Sequence, residues 1–239
     1  MARGIFITGT DTGVGKTAVA AVLAALAAEQ GLKTGVMKPV TSGCEQVDGV
    51  MRSADADLLV AASGCAAPYD TVAPYRLAAP VAPSVAASRE GVHIDFATIL
   101  ERYRELAATH DYVVVEGAGG LMVPLAGGLL VADLAKALEL PLLVVARPGL
   151  GTVNHTLLTC FCAQQLGLQV RGAVINGFPQ VPDQAEEYAP HLVGSLAGVP
   201  LLGVFPRVEG TGPEMVRQLA RECAADPMTK LLLREVGIA

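Results

Sequence analysis

The stretch Gly9-Thr10-Asp11-Thr12-Gly13-Val14-Gly15-Lys16-Thr17 decides the fold. Gly4 to Thr8, ahead of it, reads as a buried strand. Lys16 to Gln30, behind it, reads as an Ala- and Leu-rich helix stopped by Gly31. A glycine-rich turn at such a junction aims backbone N–H groups at phosphate oxygens, and the helix N-terminus adds a favourable dipole. Lys16 is then placed to neutralise β- and γ-phosphates, and the Thr17 hydroxyl to ligate Mg2+. Five residues rather than four separate Gly9 from Gly15, so the loop departs from strict P-loop spacing. The plainer alternative is a glycine-rich turn before a lysine that happens to start a helix. It leaves Gly-Lys-Thr at a strand–loop–helix junction without a reason.

Outward from the loop, apolar runs alternate with helical patterns. Thr34 to Lys38, Tyr112 to Glu116, Leu142 to Ala146, Gly172 to Asn176 and Leu201 to Phe205 read as strands, with Thr71 to Leu77 a further short one. Asp55 to Ser63, Ile94 to Thr109, Thr152 to Leu166 and the tail from Pro213 read as helices. The strands are continuously apolar rather than alternating, which predicts a sheet covered on both faces. Strand–helix alternation throughout predicts an α/β fold with a mostly parallel, doubly wound sheet. No repeat, low-complexity segment or linker divides the 239 residues, which read as one domain. Ligands are expected at the carboxyl ends of the strands.

Composition removes several classes of function. Lys and Arg total 17 against 23 Asp and Glu, a net charge of −6 with no basic run, which argues against nucleic acid and anionic membranes as partners. Aromatic residues make up 4%, too few for a base-stacking RNA module. Ile5-Phe6-Ile7 is too short for a signal-peptide core. The charge-free stretch from Pro148 to Val170 carries Asn154, His155, Gln164 and Gln165, so it does not read as a membrane span. A cytoplasmic protein is expected. Cys44, Cys65, Cys160, Cys162 and Cys223 are odd in number and lack CxxC spacing, which predicts reduced thiols and no structural metal.

Four further segments carry candidate residues, three of them at strand ends. Lys38-Pro39-Val40-Thr41-Ser42-Gly43 places a cation near the loop, where it can stabilise charge that develops in phosphoryl transfer; in isolation such a lysine is merely solvated. Asp55 starts a helix and is in isolation a cap, with Asp57 a rival for any metal role. Glu116-Gly117-Ala118-Gly119-Gly120 puts a carboxylate at the end of an apolar strand, which is costly unless it is paired or metal-bound. Its glycines would permit close approach of a substrate. Asn176-Gly177, with Pro206-Arg207-Val208 after the next strand, offers an amide that matches a nucleobase edge, although Asn-Gly is also an ordinary turn pair.

Together these residues resemble the dethiobiotin synthetases, over nearly the whole chain. The most specific pieces are Gly-Thr-Asp-Thr-x-Val-Gly-Lys-Thr, Lys-Pro-Val-x-Ser-Gly, Val-Glu-Gly-Ala-Gly-Gly and Leu-Gly-Thr-Val-Asn-His. The resemblance implies a three-layer fold of the P-loop NTPase type and a homodimer with its active site at the subunit interface. It also implies closure of a ureido ring on 7,8-diaminononanoate from CO2 (or bicarbonate), with ATP as co-substrate and Mg2+. A carbamate and then a carbamic–phosphoric anhydride would be the intermediates. By position, Gly13, Val14, Gly15, Lys16, Thr17 and Ala18 would contact the nucleotide phosphates. Thr17, Asp55 and Glu116 would hold Mg2+, and Gly117, Ala118 and Gly119 would also lie at the nucleotide. Lys38 would be catalytic. Asn176 and Gly177 would read the base with Pro206, Arg207 and Val208. Thr12, Ser42 and the run Gly151, Thr152, Val153 and Asn154 would bind the diamino acid, that run at its carboxylate. Position 13 is Gly where some members carry Glu, and Gly177 stands where an acidic residue can occur.

Two other readings share parts of this pattern. A partitioning or cell-division ATPase has the same fold, but that class resembles a loop with an extra lysine near its start, and residues 10 to 14 contain none. A glutamine-dependent amidase acting on corrinoids would need a second, glutaminase domain for which no residues remain.

Overall fold

The computed structural model describes residues 3–239. The chain runs through β1 (Arg3–Gly9), α1 (Lys16–Glu29), β2 (Thr34–Met37), β3 (Val40–Ser42), β4 (Glu45–Val47), β5 (Val50–Arg52), α2 (Ala54–Ser63) and α3 (Tyr69–Val72). It continues through β6 (Tyr75–Leu77), α4 (Pro83–Glu90), α5 (Phe96–Thr109), β7 (Tyr112–Gly120), β8 (Pro124–Ala126), β9 (Leu129–Leu130) and α6 (Val131–Ala137). The remaining elements are β10 (Leu142–Ala146), α7 (Thr152–Gln165), β11 (Val170–Phe178), α8 (Gln184–Leu196), β12 (Leu201–Pro206), α9 (Gly212–Ala225) and α10 (Met228–Val236).

The strongly apolar runs pair into one six-stranded sheet in the order β12-β11-β10-β1-β7-β2, parallel at every pairing. Both faces are covered, as continuous apolar strands require. Val144 and Ala146 of β10 and Ala173 and Ile175 of β11 pack in a cluster with Cys160 of α7 and Ala189 and Val193 of α8. Their neighbours Val145 and Val174 join the larger core, which includes Val22 of α1 and Leu219 of α9. This is the three-layer, doubly wound α/β fold of the P-loop NTPases. No described helix is long and apolar enough to cross a membrane.

Several elements differ from the sequence expectation. Thr71 and Val72 form part of the short helix α3, and only Tyr75 to Leu77 is extended. That strand pairs with β3 rather than entering the central sheet. Pro68 starts the helical turn, and Pro74 breaks the run that reads as a strand. β2 ends at Met37, because the Lys38 N–H donates to the Val72 carbonyl at 2.8 Å instead of to the sheet. β7 continues past Glu116 to Gly120. The helices α4, α6 and α8 and the strand pairs β4–β5 and β8–β9 are additional. The helical tail is two helices, broken at Asp226-Pro227.

Tyr112 ties the last helix to the sheet. It is fully buried at the start of β7, and its hydroxyl donates to the Val236 carbonyl at 2.6 Å. Tyr112→Phe leaves that carbonyl buried without its partner, which costs about 1–3 kcal/mol. Urea unfolding of the variant should show that loss with an unchanged m-value.

Candidate active site

The carboxyl ends of β1, β2 and β7 lie side by side, and three chain segments distant in sequence meet there. The centre of the meeting point is Lys38. Its ammonium lies 2.6 Å from Glu116 Oε1, 2.8 Å from Asp55 Oδ2 and 3.4 Å from the Gly117 carbonyl. The Lys38 side chain is 4% exposed and that of Glu116 1%, whereas Asp55 is 42% exposed. Burial alone would strip Lys38 of its proton, but Glu116 and then Asp55 outweigh it and hold the ammonium above lysine's ordinary value. Burial pushes Asp55 up, but Lys38, with the Thr17 hydroxyl and Lys16, outweighs it and holds the carboxyl below its ordinary value. Glu116 is displaced upward, because its burial exceeds the attraction of Lys38.

Local structure explains how each side chain arrives. Pro39 follows Lys38 at the strand end. Ser53 caps α2, its hydroxyl accepting from the Ala56 N–H at 3.2 Å and donating to Thr41 Oγ1 at 3.2 Å. Asp55 is thereby fixed in the first turn. Asp57, the rival carboxylate, pairs with Arg52 at 2.6 Å, and Arg52 stacks on Tyr69 at 4.0 Å. Asp57 therefore serves the local scaffold.

In the loop, Lys16 is almost buried and donates to the Asp11 carbonyl at 2.9 Å. Burial, together with the nearby Lys38 charge, brings its ammonium down to about 8. The Thr17 hydroxyl donates to Glu116 Oε1 at 2.9 Å. Glu116 Oε2 is buried with no hydrogen-bond partner among the described residues. Gly15 has φ +87°, and a Cβ there would lie 2.0 Å from Asn176 Nδ2, so glycine is required twice over.

A cavity of about 350 Å³ gathers Thr12, Gly13, Gly15, Lys16, Thr17, Lys38, Ser42, Asp55, Glu116, Ala118 and Gly119, all candidates from the sequence. Thr41 lines it too and was given no role by sequence reasoning; its place within Lys-Pro-Val-Thr-Ser-Gly was the available signal. Gly117 is buried against Phe6, where a Cβ would lie 2.9 Å from the ring, so the position has no room for a side chain. Ala18 lines an adjoining cavity of about 700 Å³ with Asp57 and Met215.

The remaining candidates do not line the cavity around Lys16 and Lys38. Asn176 donates through Nδ2 to the Val14 carbonyl at 3.2 Å, which joins β11 to the loop. Gly177 follows with φ +76°. Pro206 ends β12, the Arg207 N–H donates to the Phe178 carbonyl at 2.7 Å, and Val208 packs on the core. Gly151, Thr152, Val153 and Asn154 begin α7 beyond β10, outside the cavity; Asn154 is exposed, and the buried Thr152 Oγ1 has no partner among the described residues. Arg147, which precedes that helix, lies 4.0 Å from Asp11 of the loop.

The buried pair sets a stability prediction. Lys38→Met leaves Glu116 dry without its ammonium, a loss of about 3–5 kcal/mol. The loss should shrink on acidification. Glu116 raised above its ordinary 4.5 binds its proton in the folded chain before the unfolded chain does, so stability rises as the pH falls toward that value. Urea unfolding at pH 5 and pH 8, read as variant minus parent, checks both statements.

A family model described as an AAA domain matches residues 3–215. The ATP-dependent dethiobiotin synthetase BioD of Bacillus subtilis (strain 168) is 38% identical over 236 residues, covering 99% of this chain and 100% of that protein. The protein of the same name from Anaeromyxobacter dehalogenans (strain 2CP-C) is 50% identical over 192 residues, 78% of this chain and 84% of that one. Among solved structures, the septum site-determining protein MinD of Pyrococcus horikoshii OT3, complexed with Mg-ADP, aligns with a TM-score of 0.58 and 20% identity, over 97% of this chain and 98% of that one. A ParA family ATPase from Chlorobium tepidum TLS aligns with a TM-score of 0.59 and 14% identity, over 99% of each chain. These two share the fold alone. Identity of 38% along essentially the full length of both chains makes this protein a member of the ATP-dependent dethiobiotin synthetase family, ligases that form carbon–nitrogen bonds.

Proposed function

We propose that this chain is a dethiobiotin synthetase working as one α/β domain in a cytoplasmic homodimer, with ATP, CO2 and 7,8-diaminononanoate as substrates. The observation that carries the reading is Lys38, a second ammonium outside the loop, held charged by two carboxylates at the cavity that Lys16 also lines. A simple ATPase needs the loop lysine; a ligase that phosphorylates a bound carbamate has use for another cation at the acceptor side.

In this reading one substrate amine captures CO2 as a carbamate, whose oxygen then takes the γ-phosphoryl group. The second amine attacks the carbonyl carbon of the anhydride, and phosphate leaves as the ring closes. No protein nucleophile is required, so the chain contributes position and charge. Gly13 to Ala18 cradle the phosphates, with Lys16 turning from the Asp11 carbonyl toward them. Lys38 balances charge on the carbamate and γ-phosphate, with Thr12 and Ser42 at the diamine. Gly117, Ala118 and Gly119 border the nucleotide, and Asn176 and Gly177 take the base with Pro206, Arg207 and Val208.

Thr17, Asp55 and Glu116 would hold Mg2+, and the unpartnered, buried Glu116 Oε2 fits a cation. The remaining ligands would be phosphate oxygens and water, as is usual for Mg2+. Bound Mg2+ would screen the phosphate charge.

A second copy of the chain is supported by exposed apolar side chains. Met122, Leu158 and Phe161, each at least half exposed, line a cavity of about 680 Å³ beside Thr10 and Asp11 of the loop. The start of α7, with Gly151 to Asn154, would then serve the neighbouring subunit's diamino acid through its backbone N–H groups.

Phosphate release from Mg-ATP should require both the diamino acid and bicarbonate. Lys38→Gln should reduce that turnover about a hundredfold or more while the chain still binds nucleotide. Turnover without a diamine, or a less than about threefold effect of the substitution, removes the assignment. A mixture of Lys16→Ala and Asn154→Ala chains should recover part of the activity that neither has alone, because one site of the hybrid dimer is intact. Full activity from a stable monomer excludes the shared site.

A further inference from the structure

At the amino end of β2, the opposite end of the strands from the phosphate loop, lies a second cavity, of about 410 Å³. Thr34 at the start of β2, Ser63 and Cys65 at the end of α2, and Glu105 and His110 at the end of α5 form its walls, with Lys33 on the rim. The volume falls in the range of small-molecule pockets, roughly 300–1,000 Å³.

The chemistry here centres on His110. Its Nδ1 lies 2.9 Å from the Leu106 carbonyl and 3.0 Å from Thr109 Oγ1. The Thr109 hydroxyl already donates to the Glu105 carbonyl at 3.0 Å, so both oxygens facing Nδ1 act as acceptors. Nδ1 therefore carries the ring proton, and Nε2 presents its lone pair. That lone pair faces Cys65 Sγ at 3.7 Å. The Cys65 N–H donates to Ser63 Oγ at 3.1 Å, and Gly64 ends α2 with φ +66°, which fixes the thiol against the ring. A thiol beside an imidazole whose far nitrogen is held by a third group is the arrangement that activates a nucleophile.

We infer that Cys65 and His110 form a thiol-modification site that takes a small disulfide bearing carboxylate groups. His110 Nε2 accepts the thiol proton, and the Cys65 thiolate attacks one sulfur of the disulfide. The disulfide's S–S bond breaks, a mixed disulfide forms at Cys65, and the departing thiolate takes the proton from His110. Cys65 is oxidised as the leaving sulfur is reduced. Lys33 is exposed at the rim and offers a cation to such a ligand, beside Asp111, whose carboxylate accepts from the Lys33 N–H at 2.8 Å, while Glu105 is occupied by Arg102 at 2.6 Å and by the Thr71 hydroxyl at 3.2 Å. β2 starts at this cavity and ends before Lys38, and α2 ends here and starts beside Asp55, so an adduct would stand at the far ends of two elements that carry the candidate active site.

The test is the rate at which oxidised glutathione modifies Cys65, read by peptide mass mapping in the folded full-length chain and in the same chain unfolded in urea. Burial alone slows a thiol on folding, whereas activation speeds it. We expect Cys65 to react at least tenfold faster folded than unfolded, and His110→Gln to abolish that acceleration. A folded rate at or below the unfolded rate in the unsubstituted chain overturns the inference, whether or not the variant folds. Acceleration that persists in a folded His110→Gln chain overturns the role of His110.

Discussion

An ammonium group buried to 4% exposure at the end of a strand can persist only where carboxylates neutralise it, and the Lys38–Glu116–Asp55 contact meets that need. The requirement dictates much of the surrounding structure. Glu116 has to arrive on β7, between the strand that bears the loop and the strand that ends before Lys38, which the sheet order provides. Asp55 has to sit in the first turn of α2, which the Ser53 cap and its bond to Thr41 hold in place. Removing Lys38 or Glu116 would leave its buried partner short of its closest counter-charge, so the cluster constrains β2, α2 and β7 together.

The same cluster tunes the phosphate loop. Burial, with repulsion by Lys38 added to it, makes the loop lysine hold its proton less firmly than an exposed lysine. A polyanion placed between the two would offset the repulsion of the two ammonium groups, which makes the loop electrostatically receptive. Asn176 extends the coupling to β11: its amide fills the space that a side chain on Gly15 would occupy and bonds to the Val14 carbonyl. The end of β11 and the phosphate loop are thus in direct contact.

Much of this was legible in the sequence because the signals are chemical and local. Continuous apolar runs located the six central strands, and Gly-Lys-Thr, the strand-end Lys38 and the strand-end Glu116 located the cavity. The choice of Asp55 over Asp57 was not decidable from a helix start alone, since it turns on Arg52 and Tyr69 capturing Asp57. The tight packing of Gly117 was hidden for a similar reason: its neighbour Phe6 is distant in sequence. Three-residue strands such as β3, β4 and β8 carry too few alternations to register, and Tyr75 to Leu77 pairs outside the central sheet because prolines punctuate its approach.

The placement of β1 has a consequence for how the chain comes to fold. β1 ends at Gly9, but its two neighbours in the sheet begin at Tyr112 and Leu142. During synthesis an apolar strand with both edges bare must wait until those partners leave the ribosome, a state that invites association with other chains and engagement by chaperones. Closing contacts across such sequence separations is slow. The phosphate loop, held between β1 and α1, therefore takes its final shape late, and a nascent chain interrupted before β10 would carry the complete loop sequence without the strand that flanks β1 on that side.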